Sequence, residues 1–258
     1  MKKIILIVLV ILIARSCLSQ LATPVEYNEW QTPKTYIIGG TVAALGYILC
    51  TATKSPIEIT PQVGPSINWL SPDPVLKQFL QEVGTKTGYL YGYSAGSLIG
   101  IRRGSIKYKS GLFIESKGGS YSNNSPVIMT DDQGNIINTI NINTTGFSRL
   151  NYLTIPLTIG IQNDRLSLDV GGFVSLPISE HHQTTSNGIT STYEPLAKIV
   201  PNAGLMADAG IKIPMTDRMD FALDARFLSS LSKTIQDQIG KSFNQSVQLL
   251  FGLNIKIN

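Results

Sequence analysis

The sequence predicts an all-β protein, an eight-stranded antiparallel transmembrane β-barrel of the outer-membrane type with a filled interior. Three observations carry that prediction. Apolar and polar residues alternate with period two over most of the chain after Ile57, the mark of strands with one apolar and one polar face. Short turns alternate strictly with long polar connections. Only 15% of the 258 residues are charged, where a soluble domain carries about 25%.

The chain opens with Lys2 and Lys3, an apolar run over residues 4–14, and then Ser16, Cys17, Ser19 and Gln20. This order of charged, apolar and small residues reads as a secretory signal peptide over 1–20. The run is too short for a retained spanning helix, which needs about 20 residues. Cys17 offers a lipidation alternative, although Arg15 sits badly in such a processing site. With Cys50 the only other cysteine, the exported chain forms no internal disulfide. Residues 21–56 form a periplasmic extension without an assigned structure; its apolar stretch 36–50 is interrupted by Gly39, Gly40 and Gly46.

The barrel domain spans 57–258, with strands near 57–69, 88–101, 104–118, 152–161, 165–176, 200–213, 218–227 and 246–257. The clearest strand sets Met219, Phe221, Leu223, Ala225 and Phe227 against Arg218, Asp220, Ala222, Asp224 and Arg226. A helix would scatter these charges around its circumference. Pro156, within another alternating run, requires a bulge or a weakly paired position.

The connections read long (70–87), short (102–104), long (119–147), short (162–164), long (177–199), short (214–217) and long (229–242). This asymmetry matches turns at the periplasmic end and loops outside, as in outer-membrane barrels. A lipocalin shares the alternation but has no reason for the asymmetry. Residues 74–83 predict a short amphipathic helix in the first loop. Asp131-Asp132-Gln133-Gly134-Asn135 lacks the alternating acids and closing glutamate of a calcium loop and reads as a hairpin turn, with 136–142 extending the strand.

A charge facing the hydrocarbon midplane costs about 2–4 kcal/mol for Arg or Lys, so the charged faces point inward. Asp208, Lys212, Arg218, Asp220, Asp224 and Arg226 are expected to form a lumenal ion-pair network, because eight strands leave an interior just wide enough for side chains to fill. Trp69, Tyr89, Phe147, Phe227 and Phe243 share the outward parity near the loop ends and predict an aromatic girdle at the lipid headgroups.

Two segments carry a family resemblance. Gly111-Leu112-Phe113-Ile114-Glu115-Ser116-Lys117-Gly118 and Leu150-Asn151-Tyr152-Leu153-Thr154-Ile155-Pro156-Leu157 resemble the PorT-type outer-membrane β-barrels of Bacteroidetes. The resemblance covers 57–258. It departs at Thr154, where an acid is usual, and at Asn258, where an aromatic residue commonly ends the final strand. It implies a place in the outer membrane and a role in or near type IX protein secretion.

His181 and His182, the only histidines, fall in the third long connection beside Glu180. Adjacent residues of an extended segment point oppositely and cannot readily share one metal. An enzyme reading would recruit them with Asp131, Asp132 and Ser120, and no spacing supports it. The chain is therefore expected to have no enzymatic activity, cofactor or metal.

The expected partners are outer-membrane lipid and other envelope or secretion proteins, and not nucleic acid. The formal charge of +4 includes Lys2, Lys3 and Arg15; without them, 18 basic residues face 17 acidic ones, leaving about +1. The leading function is a structural or secretion-accessory barrel that docks envelope partners. A small transport barrel and a soluble lipocalin-like barrel are the alternatives.

Overall fold

The computed structural model describes residues 57–130, 133, 136–192, 198–236 and 241–257. The signal peptide and extension expected over 1–56, and Asp131, Asp132, Gly134 and Asn135, lie outside the described residues. Eight long strands form the wall: β1 Ile57–Pro72, β2 Thr85–Arg103, β3 Ile106–Thr130, β4 Ile136–Gln162, β5 Leu166–Ser186, β8 Asn202–Thr216, β9 Met219–Ser230 and β11 Lys241–Ile257. Short elements at the loop end are α1 Pro74–Glu82, β6 Ile189–Thr192, β7 Lys198–Ile199 and β10 Ile235–Gln236.

Each long strand pairs antiparallel with the next, and β11 pairs with β1 to close the ring. Closure removes the unpaired edges that an open sheet would expose, a requirement inside lipid. Two contacts mark the seam. Thr60 Oγ1 donates to Asn254 Oδ1 at 2.9 Å toward the turn end. At the loop end the Asp73 N–H donates to the Lys241 carbonyl at 2.9 Å and the Lys241 N–H to Asp73 Oδ2 at 3.0 Å.

Asp73 is also the N-cap of α1, its Oδ1 accepting from the Leu76 N–H at 2.8 Å, with Pro74 opening the helix. An aspartate followed by proline suits a helix start, since proline has no N–H to leave unsatisfied there. The expected helix over 74–83 forms at 74–82.

The strands outrun the sequence expectation. The connection expected over 119–147 is strand over 119–130 and again over 136–147, with Asn124 opposite Asn143 and Val127 opposite Ile140. The third connection begins with ten further strand residues of β5, so His181 and His182 stand on a paired strand, opposite Arg149 and Ser148. The Ser, Thr and Asn side chains of these stretches tolerate a sheet wet on both faces. Neighbouring strands satisfy the backbone, which decides the conformation where side chains are neutral.

Parity sorts the side chains cleanly. On β9, Asp220, Ala222, Asp224, Arg226 and Leu228 are buried, while Met219 and Phe227 are exposed. Outside, Ile161, Leu168, Leu205, Ile213, Leu249 and Leu253 lie open, Ile161 at 63%. A contiguous apolar wall of this extent would be intolerable in water and is the lipid-facing band of a transmembrane barrel. Pro156 opposes Phe173 on β5, and the β3–β4 ladder breaks between Ser110/Leu157 and Phe113/Thr154. Proline has no N–H for that position.

Candidate functional site

The lumen is the chemically distinctive part of the fold. Among the described residues six buried carboxylates enter it, from Glu58, Glu115, Asp169, Asp208, Asp220 and Asp224, together with five buried cations, Lys107, Lys109, Lys117, Lys212 and Arg226. Lys256 reaches in from the turn end as a sixth, 36% exposed. The equal numbers leave the lumen close to neutral, as burial demands when each unpaired charge would cost several kcal/mol.

The pairs stack in layers from the turn end upward. Glu58 receives both Lys107 and Lys212, the latter at 2.6 Å, and Lys212 also donates to Gln162 at 3.2 Å. Near the same end Asp220 holds Lys256 at 2.9 Å and accepts from Asn254 at 3.2 Å. In the next layer Lys109 meets Asp169 at 2.6 Å, Arg226 meets Asp208 at 3.2 Å, and Gln62 donates to Asp224. Gly210 lies opposite Asp224; a side chain there would meet the Asp224 carboxylate and, at 2.7 Å, Ser167 Oγ. The glycine therefore makes room for the acid.

Higher still, Lys117 lies 3.0 Å from Glu115 and donates to Ser175 at 2.9 Å. Thr154 donates to Glu115 at 2.6 Å, and Gln248 to its other oxygen at 2.9 Å. Thr154, the departure from the resembled pattern, thus works beside an acid supplied by the adjacent strand. Rings complete the layers, with Arg226 4.5 Å from the Phe113 ring and Lys117 4.6 Å from that of Phe173. Such cation–ring contacts strengthen when desolvated. Leu98, Phe113 and Leu250 form one apolar cluster, and Phe173, Met206 and Leu228 another. Thr60, Gln62, Lys107, Lys109, Lys212 and Asp224 help line a cavity of about 10 Å³, room for roughly one water.

Of the residues singled out in the sequence, Asp208, Lys212, Asp220, Asp224 and Arg226 are buried in the lumen. Among them only Asp208 and Arg226 form an ion pair with each other; the others bind groups from β1, β4 and β11. Arg218 corrects the expectation: it stands exposed in the turn between β8 and β9, one position before the paired strand begins. Solvent is within its reach there, so nothing draws its charge inside. Glu58, Lys107, Lys109, Glu115, Lys117 and Asp169 complete the network. Their signal was present, since Lys107, Lys109, Phe113, Glu115 and Lys117 share one parity against Ile106, Tyr108, Leu112 and Ile114.

Outside, the Trp69 and Tyr89 rings meet edge to face at 5.8 Å, and Tyr91 and Tyr93 add two more exposed rings on β2. Phe147 lies 5.8 Å from the His181 ring. Phe243 is half-buried near the start of β11. Phe227 is exposed lower on the wall, eight residues from the β9 start, about 20 Å along the axis at ~3.3 Å per residue and a tilt of about 40°.

Inside the rim, Ser148 Oγ and His182 Nδ1 are 2.9 Å apart, and Glu180 stands 3.7 Å from Nε2. Ser120 is not part of this group; its hydroxyl donates to the Tyr89 carbonyl at 2.9 Å. His181 and His182 face opposite sides of the wall. Among the described residues no three His, Cys, Asp or Glu side chains are grouped to hold a metal ion.

Fold and lumen together define a transmembrane β-barrel of the outer-membrane type with an interior occupied by side chains. Solved structures of similar fold include the Neisserial surface protein A (TM-score 0.36, 12% identity, covering 77% of this chain and 97% of that one). The attachment invasion locus protein of Yersinia pestis, with a heparin analogue bound, is similar at TM-score 0.35 and 11% identity over 80% of this chain and all of that one. The outer membrane protein AlkL is similar at TM-score 0.39 and 9% identity over 79% and 90%. No protein-family model and no curated protein matches the sequence.

Proposed function

We propose that this chain is a structural or secretion-accessory barrel of the Gram-negative outer membrane, exported by a cleaved signal peptide over 1–20. In this reading it docks other envelope proteins through the sheet its loops build outside the membrane. The extended β3–β4 hairpin carries the reading. From Phe147 to Ile136 the strand continues for eleven residues, about 28 Å of rise beyond the girdle at ~3.3 Å per residue and a tilt of about 40°. β5 and β6 widen it into a four-stranded platform, with Thr144 and Ser186 hydroxyls bonded at 3.0 Å and Tyr121 bonded to Thr184 at 2.6 Å. A rigid sheet held clear of the bilayer suits a protein partner. The resemblance to PorT-type barrels favours type IX secretion as the setting, and the stretch 21–56, which precedes the barrel in sequence, is proposed as a second contact on the periplasmic side.

Crosslinking in the native envelope, with partners identified by mass spectrometry, tests this. Deleting 125–142 should abolish the partner crosslinks while heat-modifiable gel migration persists; crosslinks that survive this deletion and vanish on deleting 21–56 would move the docking face to the periplasm.

A transport role has no support in the filled lumen. Planar-bilayer recording should find no steady conductance, and a sustained open level would reinstate the channel.

A further inference from the structure

Arg149 stands on the lipid-facing wall, not in the lumen. It alternates with the inward Leu150 and Tyr152 on β4 and shares the outward parity of Phe147. It lies thirteen residues from the turn end of β4 at Gln162, about 33 Å up the axis at ~3.3 Å per residue and a tilt of about 40°. The apolar band is about 25 Å tall, so the guanidinium sits at headgroup height on the loop side.

The row around it is built to hold the side chain there. Register puts Gly118 of β3 and His181 of β5 on either side of Arg149. The guanidinium crosses β3, and its Nη2 donates to the Tyr91 carbonyl of β2 at 3.5 Å. Its carbon lies 5.6 Å from the Phe147 ring, and the His181 ring packs beside that ring. Tyr89 and Tyr91 are exposed rings of β2, the strand beyond β3. Among the described residues no carboxylate lies within ion-pair distance of Arg149. In the lumen, by contrast, all the buried cations of the layers have acids or polar oxygens around them.

We propose that Arg149, flanked by His181, Phe147 and Tyr91, is a seat for the phosphate of an outer-leaflet lipid. A guanidinium offers a planar fork of N–H donors that matches a phosphate's oxygens, and an amphipathic ring such as that of Tyr91 suits the boundary between acyl chains and water. The counter-charge that the wall does not supply comes from the membrane. The seat rests on the reading of the chain as an outer-membrane barrel.

Native mass spectrometry of the full chain refolded in detergent tests the seat. The probes are diphosphoryl lipid A, its dephosphorylated form and dimyristoylphosphatidylcholine. The wild type should retain diphosphoryl lipid A at least fivefold better than the dephosphorylated form. Arg149→Gln should cut that retention to less than a third, while Arg165→Gln at the opposite end leaves it unchanged. Equal retention of the two lipid A forms, or unchanged retention by Arg149→Gln, overturns the seat. If Arg149→Gln does not assemble, the wild-type comparison of the two lipids decides alone. A wild-type chain that neither enters vesicles nor shows heat-modifiable migration overturns the barrel reading itself, whereas a barrel that inserts and ignores phosphate overturns only the seat.

Discussion

Arg226 and Asp208 are direct cross-strand partners on β9 and β8, 3.2 Å apart and each nearly sealed from solvent. The guanidinium is held from a second side by Gln62 of β1 at 3.4 Å and from a third by the Phe113 ring of β3. One side chain thus ties β1, β3, β8 and β9 across the barrel axis, a linkage that wall hydrogen bonds between neighbours cannot make.

Arg226→Met should therefore be severe, because it leaves the Asp208 carboxylate buried without its cation. Loss of one partner from a buried pair costs about 3–5 kcal/mol. Lys256→Gln, at the partly exposed turn-end pair with Asp220, should cost about 1 kcal/mol or less. Urea unfolding from lipid vesicles, followed by gel migration, measures both; similar midpoints for the two variants would contradict the layered lumen.

Neighbouring residues on β9 should respond oppositely to charge. Leu223 faces outward four residues into the strand, and Asp224 faces the lumen. Leu223→Arg puts a cation against hydrocarbon at a cost of about 2–4 kcal/mol, and assembly into vesicles should fall sharply. Asp224→Asn keeps the shape and the Gln62 contact and should assemble almost normally. Equal tolerance of both changes would mean the faces are reversed.

Gly118→Ala should destabilise the wall beside the girdle. Gly118 has φ +132°, a region in which side chains are strained, and an added methyl would meet the Ser148 carbonyl and, at 3.3 Å, Leu90. A forced backbone of this kind costs about 1–3 kcal/mol. Gly104 also has positive φ but has nothing near it, so Gly104→Ala should carry conformational strain without a clash. Paired unfolding midpoints, with Gly118→Ala the lower, check the difference.

The loop-side sheet should loosen in mild acid. Burial holds the His182 imidazole below its ordinary value of 6.5, while Glu180 pulls it partly back and His181 pushes it further down. The folded chain therefore binds fewer protons here than the unfolded chain. This contribution is fully present above pH 6.5 and is lost as the pH falls from there through the folded value. Protease cleavage of the β4–β5 extension should rise between pH 7.5 and pH 5 in the wild type, and His182→Gln should flatten that rise.

Much of the architecture was legible in the sequence. Alternation such as Met219-Asp220-Phe221-Ala222-Leu223-Asp224 reports face directly, because a strand's side chains switch sides at every residue and lipid penalises any charge on the wrong one. The same rule assigned Asp208, Lys212, Asp224 and Arg226 to one side before any contact was known. It failed at Arg218, where the strand had ended and parity no longer constrains direction. It also failed over 119–130, 136–147 and 177–186, where the alternation is weak and the neighbouring strand's hydrogen bonds hold the chain extended.

What the sequence by itself determined was the strand parity that turns Asp208, Lys212, Asp220, Asp224 and Arg226 inward. The partners were decided by tertiary structure alone: Lys212 meets Glu58 across 154 positions and Arg226 meets Gln62 across 164. Those pairs exist because β11 closes onto β1, and the stagger of a closed ring sets which inward side chains reach the same height along its axis. Period two carries no record of that stagger.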